Sequence, residues 1–120
     1  MKILVVEDYA ESRDLLSLMF QTEGFETRCA SDGKAGFDLA QKEHPDLIVT
    51  DIEMPNLDGI GMIKLIRQEA KDKSVPIIVL SACQGEAKTK ALEAGANYAL
   101  AKPLQFDLLY EMIAKLLKPS

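Results

Sequence analysis

The sequence predicts a doubly wound α/β fold, a five-stranded parallel sheet with helices on both faces, and three observations carry that prediction. Short runs that are apolar at every position recur along the chain. Longer segments with helical spacing of apolar residues separate them. Glycines and prolines stand where one kind of segment gives way to the next. Runs apolar throughout suit strands covered on both faces, as in a parallel sheet, better than strands with one wet face. Five strand-then-helix units in succession then imply crossovers that place helices on both sides of one sheet.

Taken in order, the first strand is Ile3-Leu4-Val5-Val6. The first helix runs from about Tyr9 to Glu23, with Leu15, Leu16 and Met19 inward and Gly24 as its stop. Phe25 to Ala30 is a weaker strand. The second helix runs from about Asp32 to Glu43 and ends before His44-Pro45. Leu47-Ile48-Val49 is the third strand. The third helix starts near Gly59 and carries Ile60, Ile63 and Ile66. Ile77-Ile78-Val79-Leu80 is the fourth strand. The fourth helix spans about Gly85 to Ala94 and ends at Gly95. Its apolar residues are Ala87, Ala91 and Ala94, with Leu92 alone being large. That predicts either a helix held less firmly than its neighbours or close packing through small residues. Tyr98 to Ala101 is the weak fifth strand. The last helix runs from about Gln105 to Lys118, with Phe106, Leu109, Ile113 and Leu116 at core spacing. Leu108 and Met112 lie beside that stripe, to cover a neighbouring element or a partner.

A chain of 120 residues, 48% of them hydrophobic, suits one domain with a core that needs no disulfide or structural metal. The formal charge of -5, without clustered Lys and Arg, argues against direct nucleic-acid binding. Cys29 and Cys83 are far apart and lie in no Cys-x-x-Cys pattern, so neither a metal site nor a structural disulfide is expected. The opening apolar run is too short for a signal peptide or a membrane span, which makes a cytoplasmic location the expectation.

In sheets of this kind, function gathers at the carboxyl ends of the strands. Glu7 and Asp8 follow the first strand, Asp51 the third, Ser81 and Ala82 the fourth, and Lys102-Pro103 the fifth. In the common order 2-1-3-4-5, strands one and three are neighbours and three carboxylates converge. Like charges that close repel one another unless a cation neutralises them. Mg²⁺ suits such a cluster, since it takes oxygen ligands and often binds one or two carboxylates plus a phosphate. Each residue has an ordinary explanation by itself. Asp8 can cap the following helix, Asp51 can be a loop acid, Ser81 a turn residue and Lys102 a solvated lysine. Their coincidence at strand ends points to one shared site. Its chemistry reads as phosphoryl transfer, with an aspartate carboxylate as nucleophile and the protein supplying position and charge neutralisation.

The segment Pro45-Asp46-Leu47-Ile48-Val49-Thr50-Asp51-Ile52-Glu53-Met54-Pro55-Asn56-Leu57-Asp58-Gly59 resembles the phosphoacceptor region of response-regulator receiver domains of two-component signalling. Ile3-Leu4-Val5-Val6-Glu7-Asp8 resembles their acidic start, and Gly95-Ala96 through Lys102-Pro103 their final strand and lysine. The resemblance covers the whole chain. It implies one receiver domain over residues 1–120 with a flavodoxin-like fold, and it carries the strand order 2-1-3-4-5. It implies Asp51 as phosphoacceptor, and Glu7 and Asp8 as the acid pair, with Asp8 preferred as the direct Mg²⁺ ligand. It further implies Glu53 as a backbone-carbonyl ligand, Ser81 as the switch hydroxyl and Lys102 as the lysine that pairs with the phosphoryl group. The Lys102-Pro103 bond is a candidate for the cis form. The implied partners are a sensor histidine kinase or phosphotransfer protein, and a downstream protein or output domain, with the face formed by the fourth helix, fifth strand and fifth helix as a candidate surface. Such a domain promotes only its own phosphorylation and dephosphorylation and is not an enzyme.

One position departs from the pattern. The family often has Tyr or Phe three residues before the lysine, and here Ala99 stands there, with Tyr98 one residue earlier. On a strand, that offset turns a side chain to the opposite face. Either the strand is slipped or bulged, or the domain switches without an aromatic swing; the second is favoured, because a slip would turn every side chain of the strand over. Two other functions compete. A phosphohydrolase with an aspartyl phosphate would resemble Asp-x-Asp at the first strand end, where this chain has Glu7-Asp8. A phosphate-independent interaction module would not need the full set of acids, hydroxyl and lysine.

Overall fold

The computed structural model describes residues 1–54, 56–82 and 85–117. Strand β1 is Lys2–Val6, β2 Glu26–Ala30, β3 Leu47–Asp51, β4 Ile77–Ser81 and β5 Tyr98–Ala101. Between and after them lie helices α1 Ala10–Thr22, α2 Gly33–Glu43, α3 Gly59–Glu69, α4 Glu86–Ala94 and α5 Phe106–Leu116. The strands pair in parallel in the order β2-β1-β3-β4-β5, the order of the flavodoxin-like receiver fold.

Alternation along the buried strands divides the core into two layers. Leu4, Val6, Ile48, Ile77 and Val79 face α2, α3 and α4 and pack with Met62, Ile63, Ile66 and Ala91. Ile3, Val5, Leu47, Val49, Ile78, Leu80 and Leu100 face α1 and α5 and pack with Leu16, Phe20, Leu109 and Ile113. A period of two on strands buried on both sides makes both sets apolar, which is why the runs read as continuous in the sequence.

Four of the five helices start one residue later than expected, for one reason, while α3 starts at Gly59 as expected. Tyr9, Asp32, Gly85 and Gln105 are N-caps with non-helical backbone, and the helices begin at the next residue. The first helix is also turned from the expected phase. Leu16 and Phe20 form the buried i, i+4 stripe, Met19 is half-buried, and Leu15 faces solvent with Leu18. In α5, Leu109 and Ile113 are buried, and Phe106 and Leu116 pack at the margin of the core. Met112 covers that same core, whereas Leu108 is exposed. Of α4, only Ala91 is buried and Leu92 is exposed. Cys29 is a free, exposed thiol on β2; Cys83 and Lys118 lie outside the described residues. Among the described residues, no helix is long and apolar enough to cross a membrane.

Candidate functional site

Strand β3 continues two residues beyond its apolar run, so Asp51 is the last strand residue. Ser81 likewise ends β4. The pleat, not a loop, therefore aims both side chains. In the parallel register, Asp51 pairs with Leu80 and Ser81 with Ala101. Ser81 thus lies one residue further out than Asp51 on the neighbouring strand, and it is buried. The Lys102 backbone N–H donates to the Ser81 carbonyl at 2.9 Å, which ties the end of β5 to the end of β4. The Lys102-Pro103 peptide is cis.

Glu7, Asp8 and Asp51 each offer a carboxylate oxygen within 4.8 Å of the others. Glu7 is buried, Asp51 half-buried and Asp8 exposed. Asp8 does not cap α1: the N-cap is Tyr9, and it has no side-chain cap bond. The capping explanation of Asp8 is thereby removed. Asp51 Oδ1 accepts the Ile52 N–H at 2.8 Å. Its Oδ2 stands 3.2 Å from Lys102 Nζ, which lies 3.6 Å from Glu7 Oε2. Glu53, two residues beyond Asp51, is exposed.

Burial pushes the Glu7 carboxyl above its ordinary value. The Tyr9 N–H opposes that shift, Asp51 adds to it, and Lys102 opposes it. For Lys102, burial acts downward, but the charges of Asp51 and Glu7 outweigh it and hold the ammonium above its ordinary value. Lys102 pairs with Glu7 and Asp51, and Asp8 adds a third carboxylate to the cluster, so the corner is short of positive charge. The donors are all oxygen, hard and mutually close, which fits Mg²⁺.

Contacts of residues 56, 58 and 59 fix the start of α3 beside Asp51. Asp58 caps α3 through the Gly61 N–H at 2.7 Å. Gly59 donates to the Ile52 carbonyl at 2.7 Å. A side chain at Gly59 would collide with the Asp51 carbonyl, so only glycine lets α3 begin there. Asn56 adopts a left-handed φ of 68° and donates to Asp32 Oδ2 at 2.8 Å. That bond joins the β3–α3 loop to the cap of α2.

The sequence patterns assign no separate role to Thr50, Asn56 or Arg13. Thr50 is buried with its hydroxyl on the Asp51 carbonyl at 2.8 Å. Arg13 Nη1 donates to the Glu7 carbonyl at 3.0 Å. No side-chain pattern in the sequence points to Arg13, because its partner is a main-chain carbonyl.

The family model for the response regulator receiver domain matches residues 3–114, and the chain belongs to that family. It is thus a receiver domain of two-component response regulators, a family of signalling domains that take phosphoryl groups from histidine kinases or phosphotransfer proteins. Among relatives, it is 35% identical to sporulation initiation phosphotransferase F of Bacillus subtilis over 97% of this chain and 93% of that protein. It is also 35% identical to the regulatory protein AtoC of Escherichia coli, over 98% of this chain but only 25% of that longer protein. Among solved structures, the response regulator TrrA of Thermotoga maritima, in complex with Mg²⁺-BeF, superposes with a TM-score of 0.86 at 34% identity, covering 97% of this chain and 98% of that one.

Proposed function

We propose that this domain is a phosphorylation switch that takes a phosphoryl group on Asp51 from a phosphohistidine of a sensor histidine kinase or phosphotransfer protein. The observation that carries the reading is that Asp51 Oδ2 stands 3.2 Å from Lys102 Nζ while an Asp51 carboxylate oxygen lies within 4.8 Å of oxygens of Glu7 and Asp8. An Asp51 carboxylate oxygen attacks phosphorus, the bond from phosphorus to the donor nitrogen breaks, and the imidazole leaves with a proton from solvent. Glu7, Asp8, Asp51 and the Glu53 carbonyl are the residues that would hold Mg²⁺. The bound ion would supply charge neutralisation for the phosphoryl oxygens. Lys102 pairs with one of those oxygens, and the Ser81 hydroxyl donates to another. The domain works in the cytoplasm as a switch for a downstream protein or output domain, reached through the face formed by α4, β5 and α5.

The test is incubation with a small phosphodonor and Mg²⁺, read by intact mass. One phosphoryl group is expected on the parent and none on Asp51→Asn. Undiminished labelling of the Asn variant overturns the assignment.

A further inference from the structure

Glu7 is held at every polar group it has. Its N–H donates to the Ala30 carbonyl at 3.0 Å, and its carboxylate Oε1 accepts the Tyr9 N–H at 3.1 Å while Oε2 faces Lys102. Its carbonyl is taken by Arg13 Nη1 at 3.0 Å. That last bond is the unexpected one. Arg13 lies one turn into α1, where the helix dipole disfavours a cation. Its guanidinium reaches back to a main-chain carbonyl rather than pairing with Glu7, Asp8 or Asp51. The carbonyl it holds belongs to the rigid peptide plane that joins Glu7 to Asp8. Whatever fixes that plane fixes the Glu7 and Asp8 Cα atoms relative to each other and to α1, and these are the points from which the acid pair leaves β1.

We propose that Arg13 is a positioning residue of the site: by holding the Glu7 carbonyl it aims Glu7 and Asp8 at Asp51 and so sets the affinity of the three carboxylates for Mg²⁺. This rests on the reading of the site given under Proposed function. Groups that orient metal ligands from behind commonly change metal affinity by about ten- to a hundredfold when removed. A simple charge effect runs the other way. Removing a cation beside an acidic cluster should tighten binding of a divalent ion, because a repulsion is lost. The two ideas therefore differ in sign.

The experiment is a Mg²⁺ titration of the melting temperature at constant ionic strength, for the parent, Arg13→Ala and Arg13→Lys. Arg13→Ala is expected to bind Mg²⁺ about tenfold more weakly than the parent. Arg13→Lys keeps the charge but loses the planar fork, so it is expected to weaken binding severalfold and less than Ala does. Unchanged affinity in Arg13→Ala, whatever its metal-free stability, makes the residue merely structural and overturns the proposal. Tighter binding overturns it in favour of plain charge repulsion. If the Ala variant does not fold, the Lys variant decides: affinity equal to or tighter than the parent's overturns the proposal. A parent that shows no Mg²⁺-dependent shift overturns the reading of the site itself, and is told apart by needing no variant.

Discussion

Lys102 Nζ stands 3.2 Å from Asp51 Oδ2 and 3.6 Å from Glu7 Oε2, so one ammonium serves acids from the ends of two adjacent strands. Lys102→Met keeps the aliphatic stem and removes the charge. Glu7, which is buried, then faces Asp51 with its nearest ion-pair partner gone. The variant is expected to lose about 1–3 kcal/mol without metal, between the values for exposed and fully buried pairs. Mg²⁺ should stabilise it more than it stabilises the parent, because the ion replaces the missing charge. Thermal melts with and without Mg²⁺ check both points; a metal-free Lys102→Met as stable as the parent contradicts this account of the ammonium.

Asp8 contributes to the charge excess without serving as a helix cap. Asp8→Ala should therefore raise the metal-free melting temperature slightly, by relieving repulsion. It should also remove most of the Mg²⁺-dependent gain, since a ligand binding the folded state stabilises it by mass action. Equal Mg²⁺ stabilisation of variant and parent would exclude Asp8 as a ligand.

At the opposite end of the sheet, Glu43 accepts from Lys2 Nζ at 3.2 Å and Arg28 Nε at 2.9 Å. The Lys2 hydrogen bond, with a lesser contribution from Arg28 and against some desolvation, holds the Glu43 carboxyl below its ordinary value. A carboxyl depressed in the folded state adds stability above its unfolded value, and that stability is lost as pH falls through the folded one. Glu43→Gln should melt below the parent at pH 7, and the gap should close as pH drops through and below the carboxylate range. A gap that stays constant down to strongly acidic pH would show that packing, not charge, is what Glu43 contributes.

Much of this fold is legible in the sequence because strands buried on both faces write continuous apolar runs, and because Gly24 and Gly95 stop helices where the chain must turn. The placement of Asp51, Ser81 and Lys102 was legible because they stand at or just past the carboxyl ends of those strands. The phase of α1 was not. Leu15, Leu16, Leu18, Met19 and Phe20 offer more apolar positions than one face can bury, and only the sheet decides that Leu16 and Phe20 go inward. Contacts made through the main chain were also hidden. The bonds of Arg13 to the Glu7 carbonyl and of Thr50 to the Asp51 carbonyl depend on where a carbonyl points, which side-chain patterns do not encode.

The last strand settles which face its residues occupy, and with it a prediction about switching. Tyr98 pairs with Ile78 and Ala99 with Val79 in a register without slip or bulge. Tyr98 packs in the layer under α1 and α5, and Ala99 in the layer under α4. The position where the family often carries an aromatic ring is thus a methyl group on the α4 side, and the ring nearby lies across the sheet. Ala has no χ1 rotamer to change, so the signal from a phosphorylated Asp51 should pass through Ser81, the last residue before the β4–α4 connection. A charge-assisted hydrogen bond from the Ser81 hydroxyl to a phosphoryl oxygen is worth about 1.5–3 kcal/mol. If the two states differ by that full amount, their ratio shifts about tenfold or more. The foothold it acts on is small, since α4 buries only Ala91. Ser81→Ala should leave phosphorylation of Asp51 largely intact and uncouple it from α4. Tyr98→Ala should lower stability or change partner binding and leave the coupling in place. Amide chemical shifts of α4, recorded with and without a phosphoryl mimic in the parent and both variants, separate the two routes. A response lost in Tyr98→Ala and kept in Ser81→Ala would mean that the ring, from the far face, carries the signal after all.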